Sequence, residues 1–198
     1  MKIRAKRIML GVVTVVTLSA GVYVWRAARE PVVLPGRFSA ARTDAAAASE
    51  EVVRLADEVR RLVGEINATE RVGEHATALL RIVEARERNE AARQAAVTLT
   101  NRLASLAESL GDIVSSQSQR LAFEAVAAQL AVADEYLTYT ANLGIFFDIV
   151  SSATADETGK DRSDSLKAAV DEVNRSATRI NELNGAAGQA LVALDKSL

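Results

Sequence analysis

Both prolines of this chain, Pro31 and Pro35, stand close together, and the roughly 155 residues from Thr43 onward contain none. Proline breaks a helix because its ring clashes with the preceding turn and it brings no amide hydrogen. A stretch this long without one, rich in alanine and poor in aromatic residues, suits long helices and not a β fold. Four apolar stripes then follow helical spacing. Val52, Leu55, Val59, Leu62 and Ile66 recur at three and four residues, which puts them on one helix face. The residues between them, Glu50, Glu51, Arg54, Asp57, Glu58, Arg60 and Arg61, read as a solvated face, with Asp57 and Arg61 as an i, i+4 pair.

The second stripe opens with Leu79, Leu80, Ile82 and Val83 and closes with Leu99, Leu103, Leu106 and Leu110. Its middle, Glu84 to Gln94, is polar, which predicts shallow burial there or charge pairing between helices. Arg86 and Arg88 with Glu84, Glu87 and Glu90 read most simply as an intrahelical ion-pair ladder. Phe123, Val126, Leu130, Ala133 and Leu137 form the third stripe. The fourth is the most regular: Leu166, Val170, Val173, Ala177, Ile180, Asn184, Ala187, Leu191 and Leu194. Asn184 is polar at a seam position, and a residue of that kind fixes register or oligomeric state at some cost in stability. Gly185-Ala186-Ala187-Gly188 beside it reads as close helix packing.

Break signals divide the stripes. Residues 30–42 read as a linker, with Pro31, Pro35 and Gly36, and Thr43 or Asp44 as the cap of the first helix. Phe38 in that linker faces lipid or bundle. Gly64 and Gly73 flank a turn around Asn67 to Glu74, or only a kink. Gly111-Asp112 ends the second helix and caps the third, which runs to about Val150. Residues 151–163 read as a solvent loop. The fold class expected is all-α: an elongated antiparallel bundle over 43–198 with helices about 50 to 60 Å long. It has four helices, or three if the first break is a kink.

The N-terminus predicts location. Lys2, Arg4, Lys6 and Arg7 make residues 1–7 a basic tail, and Ile8 to Trp25 carries no charge. As a helix that run is about 27 Å long, close to the thickness of the bilayer hydrocarbon. We expect a transmembrane signal anchor over 8–29, with Tyr23 and Trp25 at the membrane interface. A cleaved signal peptide with Ser19-Ala20-Gly21 at its processing site is the competing reading. The stronger positive flank predicts a cytoplasmic N-terminus and a bundle in the periplasm or outside the cell. Gly11, Thr14, Thr17 and Gly21 put small residues on one face of the run. Arginine far outnumbers lysine and alanine abounds, a composition typical of GC-rich bacterial genomes.

Chemistry-bearing signals are sparse. The chain has no cysteine and a single histidine, His75, so neither a thiolate site nor a paired Glu-x-x-His metal site is expected. No phosphate-loop or dinucleotide fingerprint occurs, and we expect no enzyme and no cofactor. Lysine and arginine number 24 against 26 acidic residues, which argues against a nucleic-acid partner. Tyr136, Tyr139, Leu143, Phe146 and Val150 recur at helical spacing with Phe147 beside them. Such a helix end is either a buried bundle end or a docking patch for a partner protein or the membrane surface, and these six are the candidate partner contacts. The function expected is a structural or adaptor subunit of the cell envelope, anchored in the bacterial inner membrane through residues 8–25. It would contact another envelope protein or its own copies. A ligand-sensing bundle that signals through a partner is the alternative, and a lipid-binding helical protein ranks behind both.

Overall fold

The computed structural model describes residues 35–155 and 162–197. The described residues are helical throughout their length apart from short connections. Four long helices follow one another: α1 (Gly36–Val72), α2 (His75–Glu108), α3 (Ser116–Ala155) and α4 (Arg162–Asp195), with a 3-10 turn at Ser109–Asp112. Successive helices run antiparallel, which makes an up-down-up-down bundle. At 34 to 40 residues each, the helices are about 50 to 60 Å long. Among the described residues no helix is long and apolar enough to cross a membrane. The expected span, with Gly11, Thr14, Thr17, Gly21, Tyr23 and Trp25, lies outside the described residues.

The helix boundaries follow from local chemistry. α1 starts at Gly36, seven residues before the Thr43 expected to cap it. Pro35 supplies a fixed φ, and its carbonyl accepts the Ser39 amide at 3.0 Å. The 30–42 linker is thus helical from 36 onward. Thr43 instead donates its hydroxyl to the Ser39 carbonyl, and Phe38 is buried in the bundle. The first break is a true turn, so the helices number four and not three. Gly73 adopts φ 80°, its amide bonds the Glu70 carbonyl at 3.2 Å, and the Glu74 amide bonds the Thr69 carbonyl at 3.0 Å. That pair of bonds is a Schellman ending, which needs a residue tolerant of left-handed backbone. Gly64 sits inside α1. At the second break Asp112 does not cap α3. Three non-helical residues, 113–115, follow the 3-10 turn, and Ser115 Oγ accepts the Ser118 amide at 3.3 Å as the N-cap. Of the loop expected over 151–163, residues 151–155 belong to α3, α4 begins at Arg162, and 156–161 lie outside the described residues.

The core is one continuous cluster along the rod. The α1 stripe is buried as expected and extends back through Ala45 to Phe38. The α4 stripe is buried too, except that Val170 is only half-buried. In α2 the seam does not stop at the polar middle. Ala78, Ile82, Ala85, Asn89, Ala92, Ala96, Leu99, Leu103 and Leu106 alternate four and three without a gap. Leu80 and Val83, read from sequence as part of the stripe, point outward. Phe123 of the third stripe is also exposed, because Ala122, Ala125 and Val126 take the inward positions there. Gly185 and Gly188 pack against nothing that a Cβ would meet, so only Ala187 of that tetrad is core.

Ion pairs set the register of the α1–α2 hairpin. Asp44–Arg102 at 3.4 Å, Glu58–Arg88 at 3.3 Å and Glu65–Arg81 at 3.1 Å recur at one heptad position on each helix. The ladder expected within α2 forms in part: Glu84 pairs with Arg81 and Glu90 with Arg93 along the helix, whereas Arg88 reaches α1 and Arg86 reaches Asp148 of α3. Asp57 pairs with Arg60 and Arg61 with Glu65, so the Asp57–Arg61 pair does not form. The two glycines near the first turn offer a test of opposite sign. Gly73→Ala should lower stability by about 1 kcal/mol, since an alanine is strained at φ 80°. Gly64→Ala should raise it by about 0.5 to 1 kcal/mol, because a Cβ there meets nothing within 4 Å. Urea melts of both variants read the signs.

Candidate functional site

The aromatic end of α3 was the sequence's strongest candidate for a contact surface. All six of its residues are turned inward: Tyr136, Tyr139, Leu143, Phe146, Phe147 and Val150 are each less than a tenth exposed. The burial agrees with the other reading of these six, a buried bundle end. The physical reason lies in the opposing helix. Asn89 Nδ2 donates to the Thr140 carbonyl at 2.8 Å, and Arg86 pairs with Asp148, so Phe146 and Phe147 stand level with Ala85. The small seam of α2 leaves the space, and the large side chains of α3 fill it. The two pairs of rings are tilted against each other, Tyr136–Tyr139 at 5.8 Å and 34°, Phe146–Phe147 at 5.5 Å and 59°.

Six polar residues are buried among the described residues; two of them are asparagines at seam positions, and the sequence pointed to one. Asn184 is 5 % exposed in the α4 seam. Asn89 is 6 % exposed in the α2 seam, and its Oδ1 is buried without a hydrogen-bond partner. Sequence reasoning missed Asn89 because it was read among charged neighbours. Its four-three spacing from Ala85 and Ala92 was the signal that identifies it. Elsewhere Asn142 Nδ2 donates to Ser176 Oγ at 3.2 Å and Ser118 Oγ donates to the Ser197 carbonyl at 2.9 Å, which ties α3 to α4 at two levels.

The remaining candidates for chemistry are dispersed. His75 is exposed, with Nδ1 3.2 Å from Glu70 Oε2. Among the described residues no three His, Cys, Asp or Glu side chains gather as a metal site. Two cavities of about 10 Å³ each sit in the core, about the volume that one water requires. Ser49, Val52, Val53, Tyr136 and Asn184 help to line the first. Phe38, Arg42, Leu191 and Leu194 help to line the second. On the surface, hydrogen bonds from Arg93 and Gln94 hold the Glu90 carboxyl down at about 2, a shift that solvent-exposed pairs do not turn into much stability.

The large apolar side chains left outside lie mostly near the two ends of the rod. Val72, Leu80, Val83 and Ile145 are more than half exposed near the α1–α2 turn, and Val114 and Phe123 near the α2–α3 connection. Comparison with protein-family models, with curated proteins and with solved structures finds no match to this chain.

Burial gives the tyrosines a pH signature. It pushes the Tyr139 phenol up to about 12, against a smaller opposing pull from Arg60, and it raises Tyr136 as well, with Tyr139 and Asp57 adding to the shift. An unfolded phenol ionises near 10. The stability that these groups contribute is therefore complete below about pH 10 and is lost as pH rises toward about 12. In a Tyr23→Phe background only these two phenols remain. Their tyrosinate absorbance should stay low at about pH 10 to 11 and rise together with the loss of helical circular dichroism.

Proposed function

We propose that this chain is a single-pass, membrane-anchored protein of the bacterial cell envelope, and that its bundle is a structural or adaptor element that acts through protein contacts. The uncharged run Ile8–Trp25 behind a basic tail supports the anchor in the inner membrane, with a cytoplasmic N-terminus and Tyr23 and Trp25 at the interface. The bundle then stands in the periplasm or outside the cell. α1, with 37 residues, carries its C-terminal end about 55 Å from its start. Another envelope protein or a second copy of the chain is the partner; nucleic acid, a cofactor and catalysis have no part in this reading.

One observation carries the adaptor reading: Leu80 and Val83, 72 % and 53 % exposed, lie one turn apart on α2 at the end of the rod away from the proposed anchor. The ligand-sensing alternative has less support, since a solute larger than water has to open the packed core to enter either cavity. Asn184 in this reading keeps α4 in register.

A crosslinked, mild-detergent purification of the full-length protein, with mass spectrometry of what co-purifies, tests the proposal. Leu80→Ser combined with Val83→Ser should change stability by less than about 1 kcal/mol and abolish the stoichiometric partner. Phe146→Ser should cost about 3 kcal/mol or more, because it removes a buried ring from the core. A partner retained by the Leu80/Val83 variant overturns the assigned surface.

A further inference from the structure

The two core cavities have the same volume, about 10 Å³, and residues of all four helices line each of them. Their walls differ in chemistry. The second lies nearer the start of α1, among Phe38, Leu103, Leu106, Leu191 and Leu194. Arg42 also lines it, but the guanidinium is engaged by Asp195, to which Nη2 donates at 2.8 Å. The surface that this cavity presents is apolar throughout.

The first cavity lies further along the rod, beside Ala96 and Leu99 of α2. Polar side chains reach it from the other three helices: Ser49 from α1, Gln129 and Tyr136 from α3, and Asn184 from α4. The seam pattern explains why they meet here. Asn184 holds a position in the α4 stripe where its neighbours one turn away are Ile180 and Ala187, and Tyr136 holds the matching place on α3. Both are buried, at 5 % and 2 % exposure. Ala96 on the opposing seam is too small to fill the space between them, so a gap remains and its edge is polar.

Buried polar groups of this kind need partners. An asparagine or glutamine amide brings two donors and an acceptor, and a serine or tyrosine hydroxyl brings a donor and an acceptor. Each one left unmet counts against folding. Burial raises the Tyr136 phenol far above its ordinary range, so it stays neutral and keeps its proton to donate. Among the described residues the lining of this cavity carries no charged side chain, which suits a neutral guest and not an ion. The volume admits nothing larger than one water, which needs about 10 to 15 Å³ and two to four polar partners. The first cavity meets both conditions. The second meets only that of size, and water in an apolar void gives up hydrogen bonds that the walls do not return.

We propose that the first cavity is a binding site for a single water molecule, held between α1, α3 and α4 by Ser49, Gln129, Tyr136 and Asn184, and that the second cavity is dry. The water is then a member of the core. It supplies hydrogen bonds to Asn184 and Tyr136 inside the seam, and it joins three helices at one level of the rod. The site stands apart from the anchor and from the Leu80–Val83 surface, and its test reads neither.

Methyl groups on the two walls report on the two cavities separately. Val52 and Val132 line the first, and Leu103 and Leu191 line the second. Full-length protein is deuterated except for its valine and leucine methyls and held in deuterated detergent. Magnetisation transfer from water is then recorded in the laboratory and rotating frames. Val52 and Val132 should show cross-peaks of opposite sign in the two frames, the mark of a water that stays bound longer than the protein tumbles. Leu103 and Leu191 should show none. Cross-peaks at neither pair, or equally at both, overturn the proposal. A hydroxyl proton that exchanges with solvent relays a similar signal, so Ser49→Ala and Tyr136→Phe are made singly. Each removes one hydroxyl and leaves three polar partners, and the valine peaks should persist in both. A peak that vanishes with one hydroxyl is a relay and overturns the site. Asn184→Leu keeps both hydroxyls and fills the polar edge with an apolar side chain of similar size. It should abolish the valine peaks, and peaks retained in folded Asn184→Leu protein overturn the site as well.

Discussion

The alanine seam of α2 is the constraint on which the rest of the bundle depends. Ala78, Ala85, Ala92 and Ala96 hold seam positions where most bundles place leucine. An alanine seam lets neighbouring backbones come close, and it leaves volume that some other helix has to fill. α3 fills it with Tyr136, Phe146 and Phe147, and α1 and α4 bring the medium-sized chains of Val52, Leu55, Val173 and Ile180. Large against small is how a core reaches crystalline density, and cavities of about 10 Å³, room for one water, occur at two places in it. The aromatic end of α3 and the alanine-rich middle of α2 are thus one feature seen from two helices.

Polar groups act on this packing chiefly as alignment. Exposed ion pairs contribute little stability, yet three of them repeat at a fixed heptad position along α1 and α2 and suit only one register. Asn89 does the same between α2 and α3, where its amide finds the Thr140 carbonyl. Its Oδ1 is left buried and unbonded, a cost that a purely apolar residue would not incur. The α1–α4 seam has no such ladder. Arg42–Asp195 ties the two helices at one end, and among the described residues no Cα atom of one comes within 8 Å of the other.

Much of the architecture was legible in the residues. The stripes of α1 and α4 alternate three and four so regularly that their buried faces follow directly, and Gly73 and Gly111 mark the two breaks. Errors arose where a residue's type and its position disagree. Leu80, Val83 and Phe123 are apolar by type but fall off the seam, and Asn89 is polar but falls on it. Ala78, Ala85 and Ala92 carry so weak an apolar signal that charged neighbours hid them. The site candidates suffered in the same way. Six large residues at helical spacing fit a core or a docking surface equally well, and only the size of the side chains opposite decides between them.

By itself, the sequence determined the all-α class and the heptad period, because backbone propensity, proline placement and seam spacing are properties of neighbouring residues. The uncharged N-terminal run is a sequence fact of the same local kind. Only the tertiary structure decided which helices are close neighbours, that Phe146 and Phe147 are buried and not in solvent, and that the α1 and α4 backbones stay further apart than those of successive helices. Those outcomes depend on which side chains meet across residues far apart in the chain, and no local pattern records the size of a partner on another helix.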